Sequence, residues 1–200
     1  MIPKRIIYCW FGWGEKPKKV VDCIMSWKEQ MPDWEYLEIN ETNFDINMNE
    51  YVKEAYKEKK WAYVSDVARL WALYTYGGVY MDTDVRVYKP LDRFLEYDFF
   101  TGFEQPNYPI TATMGAIKEN KLIKEMLDQY NDRVFETHNN WKEYETNTMI
   151  LSNVIGKYFD RGRMVYQEVD NMAIFPKETF CNGVIDENTY TRHLMFGSWL

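Results

Sequence analysis

The segment WAYVSDVARLWALYTYGGVYMDTDV, residues 61–85, constrains the fold of this chain more than any other. Val64, Val67, Ala68, Trp71, Ala72 and Tyr74 recur at helical spacing, and Gly77-Gly78 supplies the stop. Val79-Tyr80-Met81 then reads as a buried strand that runs straight into Asp82 and Asp84. A helix and a strand joined only by two glycines must pack side by side. The pattern leaves open which end of the helix approaches Asp82.

The rest of the chain alternates in the same way. KRIIYCWF reads as a buried strand closed by Gly12 and Gly14, and a helix is predicted over 17–30 with Pro17 in its first turn. EYLEI, YDFFTGFE and ITATMGAIK read as strands, with short strands around 164–167 and 193–196. Helices are predicted over 48–57, 121–135 and 146–158, and DNMAIFPKETFCNGVIDENTYTR reads as a long loop of the kind that carries function. Strands alternating with helices imply an α/β layered domain, with no repeat or linker to divide residues 1–200.

Carboxylates beside a core are costly unless something positive meets them. Residues two apart on a strand share a side, and a turn would bring Asp82 and Asp84 closer still. Two carboxylates in one small volume raise the proton affinity of one of them, a conflict that a hard divalent cation removes. The bland alternative is a pair of solvated aspartates capping a strand end. Placement after a buried strand, at the carboxyl-end crevice of an α/β sheet, favours function.

Asp66 and Arg69 stand three apart on the predicted helix and can pair there. On a largely apolar helix such a pair does little for stability but suits the gripping of hydroxyls. Trp10, at a strand end before glycines, fits either a core position or a face offered to a base. His193, Ser198 and Trp199 close the chain in RHLMFGSWL, and a structural and a ligand role for the histidine stay equally open.

The net charge is −7 and no Lys/Arg stripe forms, which excludes nucleic acid as the expected partner and means that an anionic substrate needs local cations. Three cysteines without paired spacing fit a reducing cytoplasm better than a disulfide framework or a zinc site. No apolar run reaches transmembrane length, and the opening MIPKRIIYCWFGWG reads as a core strand, not a signal peptide.

In order along the chain, IPKRIIYCWFG, SWKEQMPDWEY, the 61–85 block, KPLDRFL, GFE, GAIKENKLIKEML and RHLMFGSW resemble glycosyltransferase family 32, the sugar transferases known for a DXD motif. The resemblance implies an α/β fold of the GT-A type (Rossmann-like), a nucleotide-diphosphate-sugar transferase with a mixed central sheet flanked by helices, forming one domain over 1–200. It implies a retaining, metal-dependent enzyme. A hexose would pass from a nucleotide-diphosphate sugar, with UDP favoured over GDP, to a glycan or lipid-linked glycan in bacterial surface polysaccharide synthesis. The cofactor would be Mn²⁺ or Mg²⁺, and the setting cytoplasmic, with peripheral association at the inner face of the membrane.

By position, the resemblance gives Trp10 the nucleobase, Asp66 and Arg69 the donor sugar's hydroxyls, and Asp82 a ribose or sugar hydroxyl with a share in the metal. It gives Asp84 the metal, and His193 with Ser198-Trp199 the closure over the diphosphate. Where the family often shows two histidines this chain has Arg192-His193, so Arg192 is a candidate for phosphate. Glu104 and then Asn147 are the candidates for the sugar's other face. Two rivals remain: a nucleotide-sugar or metal-binding module without turnover, and a haloacid-dehalogenase-like phosphatase using Asp82 as nucleophile. The phosphatase lacks its usual late acidic pair here.

Overall fold

A computed structural model of the chain describes residues 1–136, 146–181 and 184–197. It opens with β1 (Arg5–Cys9), α1 (Lys18–Gln30), β2 (Glu35–Ile39) and α2 (Glu50–Lys57). The central block follows as α3 (Trp61–Tyr76), β3 (Gly78–Met81) and β4 (Val85–Val87). Next come β5 (Phe99–Gln105), β6 (Tyr108–Pro109), β7 (Thr113–Ala116), α4 (Lys121–Asp128) and α5 (Asn147–Ile155). The chain finishes with β8 (Gln167–Val169), β9 (Met172–Phe175), α6 (Lys177–Phe180) and β10 (Thr191–His193).

The strands form a mixed sheet in the order β2-β1-β3-β7-β5-β9-β8, with β6 paired to β5, while β4 and β10 make a separate antiparallel ribbon. β1 runs parallel to both β2 and β3, but β7 is antiparallel to β3 and β5, which gives the mixed α/β sheet that the sequence implied. Strand alternation divides the apolar residues between two cores. Ile7, Tyr80, Phe99 and Ile174 face the layer of α2, α3, α4 and α5. Ile6, Val79, Phe100 and Ala173 face the other side, with Trp27 of α1 and Phe180 of α6.

The Gly77-Gly78 stop is needed for backbone shape and for space. Gly77 and Gly78 have φ of 66° and 136°, and a Cβ on either would lie 2.7 Å from Lys118 N or 2.8 Å from Arg5 O. Arg5 Nη1 also donates to the last helical carbonyl, Tyr76 O, at 2.9 Å. On the other side of the sheet, α1 clamps β4: Trp27 Nε1 donates to Val85 O at 2.7 Å and Val87 N donates to Ser26 Oγ at 3.0 Å.

Several expected elements shift. The stretch from 170 to 192 read as a loop contains the buried strand β9 and the short helix α6. Asp170 and Asn171, with φ of 49° and 60°, make the two-residue turn of a β8–β9 hairpin, which accommodates left-handed residues because its twist matches the strands. Strands expected at 164–167 and 193–196 lie instead at Gln167–Val169 and Thr191–His193. α4 ends at Asp128 although Tyr130 and Phe135 beyond it are buried, so apolar spacing there continues past the helix.

Gly115 in β7 sits opposite Phe100 of β5, and a Cβ at that position would fall within the Phe100 ring. Gly115→Ala is therefore expected to destabilise the protein by about 1–3 kcal/mol through overpacking, read by urea denaturation. A loss below about 0.5 kcal/mol would show that the two strands are less tightly joined than described.

Candidate active site

Tyr80 and Asp82 lie on the same side of their strand and face α3. Asp82 Oδ1 accepts from Tyr80 OH at 2.7 Å and pairs with Arg69 Nη1 at 3.2 Å, while the guanidinium rests 4.6 Å from the Tyr80 ring centre. Arg69 Nη2 meets Asp66 Oδ1 at 2.9 Å, Nη1 donates to Thr111 O at 3.1 Å, and Nε donates to Ser65 O at 3.3 Å. Burial would lower the arginine's proton affinity, but Asp82, Tyr80 and Asp66 outweigh it and keep the side chain charged. Burial pushes the Asp66 carboxyl up to about 6 against the pull of Arg69, with the Asp82 charge adding to the rise.

The chain turns sharply after β3, with Val85 N donating to Asp82 O at 3.0 Å, so the turned alternative for the acidic triplet holds. The β4–β10 ribbon then brings the end of the chain back to this turn, pairing His193 with Val85. Leu194 N donates to Asp84 O and Phe196 N to Asp84 Oδ2, each at 2.9 Å. His193 Nε2 lies 3.3 Å from Asp84 Oδ1 and its Nδ1 lies 3.2 Å from Glu104 Oε1. Burial alone would lower the imidazole's pKa, but hydrogen bonding with Asp84, Cys181 and Glu104 carries it up to about 12. Burial would raise the Asp84 carboxyl, and the His193 bond with the Phe196 amide holds it below the usual carboxylate value.

One ligand atom from each of Asp82, Asp84 and His193 lies within 4.8 Å of the others. Two hard carboxylate oxygens and an imidazole nitrogen suit a divalent cation, and donors sharing one ion at roughly 2.1 Å each are separated by about 4 Å or less. The residues therefore fit such an ion with only small adjustment.

The turn opens into a cavity of about 420 Å³, within the range that holds small ligands. Arg69, Asp82, Asp84 and His193 line it, and Trp10 stands on its wall with Nε1 donating to Gly14 O at 2.7 Å. Asp66 lies one layer back: it is buried, paired with Arg69, and neither carboxylate oxygen receives an aligned hydrogen bond. Asn147 is buried beside it and donates from Nδ2 to Asp66 O at 2.9 Å, while its Oδ1 has no partner.

Glu104 bonds to His193 and, like Asn147, is not among the lining residues, so both sit apart from the sugar face the sequence reading gave them. Arg192 neighbours His193 on β10, pairs in register with Arg86 and is also absent from the lining. Ser198 and Trp199 lie outside the described residues.

The structure adds side chains that sequence reasoning did not single out. Tyr80 looked like core, yet its hydroxyl fixes Asp82. Trp61 packs under the Gly12 turn, and a Cβ on Gly12 would lie 2.7 Å from it. Lys19 reaches over the Phe196 ring at 4.2 Å and supplies the cation at the cavity wall that Arg192 was expected to bring. Of these contacts, only the one between Trp61 and the Gly12 turn has a hint in the sequence, the glycines of WFGWG.

Asp66 yields a pH signature. Its folded pKa, about 6, exceeds the model-peptide value of 3.8, so the folded state holds a proton that the unfolded chain has released between those values. That contribution to stability is present below about pH 4 and is lost as pH rises through 6. Between pH 3.5 and 7 the wild type should lose on the order of 2–3 kcal/mol more stability than Asp66→Asn, read by urea unfolding at each pH. Parallel pH profiles would show that the carboxyl is not held protonated.

Residues 17–101, which hold Asp66, Arg69, Asp82 and Asp84, match the family described as "Glycosyltransferase sugar-binding region containing DXD motif". Inositol phosphoceramide mannosyltransferase 3 of Schizosaccharomyces pombe is 28% identical over 145 residues, which cover 68% of this chain and 39% of that protein's length. Among solved structures, the PaToxG glycosyltransferase is similar at a TM-score of 0.59 and 16% identity, covering 78% of this chain and 68% of its own. A glycosyltransferase involved in glycosylation of the major capsid of PBCV-1 is similar at a TM-score of 0.53 and 14% identity, covering 98% and 96%. At such identities the structural likeness is one of fold, and that fold is of the GT-A type. The acidic turn thus lies inside a region similar to the sugar-binding region of DXD-motif glycosyltransferases.

Proposed function

We propose that this chain transfers a hexose from a nucleotide-diphosphate sugar to a hydroxyl of a glycan or lipid-linked glycan, with retention of configuration. The observation that carries the reading is the convergence of Asp82, Asp84 and His193 within 4.8 Å at the mouth of a cavity that Arg69 also lines. Held by those three residues, Mn²⁺ or Mg²⁺ would neutralise the departing diphosphate.

The remaining work falls to the chain itself. Trp10, with its indole tied to Gly14, offers a fixed aromatic wall for the base. Arg69, locked by Asp66, Asp82 and Thr111, presents a rigid fork beside the sugar, and rigid placement supplies much of what a transferase needs. Asp66, backed by Asn147, would act on the sugar through Arg69, which it holds in place. Lys19 adds positive charge where the phosphates would lie.

In the transfer, the bond from the sugar's anomeric carbon to the diphosphate oxygen breaks and a bond to the acceptor oxygen forms. The acceptor's proton passes to the leaving diphosphate. With Glu104 committed to His193 and Asn147 to Asp66, neither is presented as a covalent nucleophile. That favours attack from the leaving-group face. By its name the mannosyltransferase relative acts on inositol phosphoceramide, a lipid, which supports a lipid-linked acceptor. Among the described residues no helix is long and apolar enough to cross a membrane.

Purified protein with Mn²⁺, offered a panel of UDP- and GDP-sugars, should release nucleoside diphosphate slowly from one of them, with water as acceptor. EDTA or Asp84→Ala should cut that release by on the order of 100-fold or more. Release that survives both treatments would overturn the cation's role. Hydrolysis of simple phosphate esters would favour the phosphatase, and binding without turnover in the presence of acceptors would favour a binding module.

A further inference from the structure

The matched family region ends at residue 101, so Glu104 and His193 both lie beyond it. The two are 89 residues apart in sequence, yet their side chains meet at 3.2 Å on the edge of the candidate site. Glu104 is placed there by an irregularity in the sheet. β5 pairs with β6 through Phe103 to Pro109 and then Gln105 to Tyr108, so the register slips at Glu104. A bulge of this kind re-aims one side chain, and bulges are over-represented beside active sites.

His193 is strung between two carboxylates by its two nitrogens, Nε2 toward Asp84 and Nδ1 toward Glu104. The β4–β10 ladder fixes the backbone of His193 but leaves its ring free to turn over. Nothing in that ladder decides which nitrogen faces the acidic turn. A carboxylate on Nδ1 does decide it: it keeps a proton on that nitrogen and leaves Nε2 free to bind a cation. The Cys181 thiol, within 4.8 Å of a His193 ring nitrogen and a Glu104 oxygen, is a much weaker hydrogen-bond partner than a carboxylate.

We infer that Glu104 is a positioning residue that grips Nδ1 of His193, so that Nε2 completes the cation site with Asp82 and Asp84. The inference rests on the transferase reading above for the existence of that cation. It gives the glutamate of GFE a role on the metal side in place of a role at the sugar's far face.

The test is Mn²⁺ affinity of the full chain, measured by electron paramagnetic resonance without any sugar donor. Glu104→Ala should weaken Mn²⁺ binding by about 10–100-fold, and Glu104→Gln, which keeps an acceptor oxygen, should recover most of that loss. Because Glu104 acts through the histidine, the double variant with His193→Ala should bind no more weakly than His193→Ala alone. The metal-free melting temperature of Glu104→Gln should match the wild type.

Unchanged affinity in Glu104→Ala beside a loss in His193→Ala would overturn this inference alone, as would additive losses in the double variant. A wild type that binds no Mn²⁺ would overturn the cation reading and this inference with it. Should Glu104→Ala not fold, ring nitrogen NMR of the wild type with Mg²⁺ decides the point, since the chain has only two histidines and His138→Gln removes the other. A protonated Nδ1 with a metal-shifted Nε2 supports the assignment, and the opposite tautomer overturns it.

Discussion

The buried contact between Arg69 of α3 and Asp82 at the end of β3 is the constraint on which the rest of the site depends. Arg69 is almost without solvent, and a buried guanidinium is tolerable only where anions and carbonyls surround it. Asp66, Asp82, Thr111 O and Ser65 O meet that need together. The arrangement ties the helix to the strand end and to the segment before β7. It fixes Asp82 at one oxygen and aims the turn that presents Asp84. Removing the arginine would leave two carboxylates facing each other across a dry gap.

Much of this was legible in the 61–85 block, because its two periodicities meet at a glycine pair. Even the open question of which helix end approaches Asp82 yields to element rises. Arg69 precedes Gly77 by eight residues, about 12 Å of helix at 1.5 Å each. Asp82 follows Gly77 by five, about 16 Å of strand at 3.3 Å each. A helix folded back on its strand therefore brings the two within the reach of an arginine side chain. The hairpin at Asp170-Asn171 was missed, because its second strand is a four-residue apolar run inside a polar stretch that reads as loop.

Other features lay out of reach for a physical reason. Local patterns report which face of an element is apolar, not which distant element returns to it. His193 reaches the acidic turn only because β10 pairs antiparallel with β4, and Glu104 reaches His193 only through a slipped register. Tyr80 was hidden differently. Its ring is a core side chain in every apolar measure, while its hydroxyl belongs to the site. An alternating strand passes on such dual residues without a mark in the sequence.

The two aspartates of the motif are made unequal by the cations beside them. Asp82 is held by an arginine that cannot lose its proton and by a tyrosine whose pKa burial has raised well above 10.0. Its anchored oxygen is thus permanently occupied, and the other can accept a hydroxyl. Asp84 is held by a backbone amide and by a histidine, and an imidazolium is a counter-charge that can give up its proton. A divalent cation that took the place of that proton would add one net positive charge beside Asp84, because a metal ligand must be deprotonated before it binds. Charge exchange at Asp84 and charge permanence at Asp82 follow from the same fold, one from the late ribbon and the other from the helix. The proposed donor carries a diphosphate, for which an acidic protein would need both kinds of neighbour, and the two sit on opposite sides of one tight turn.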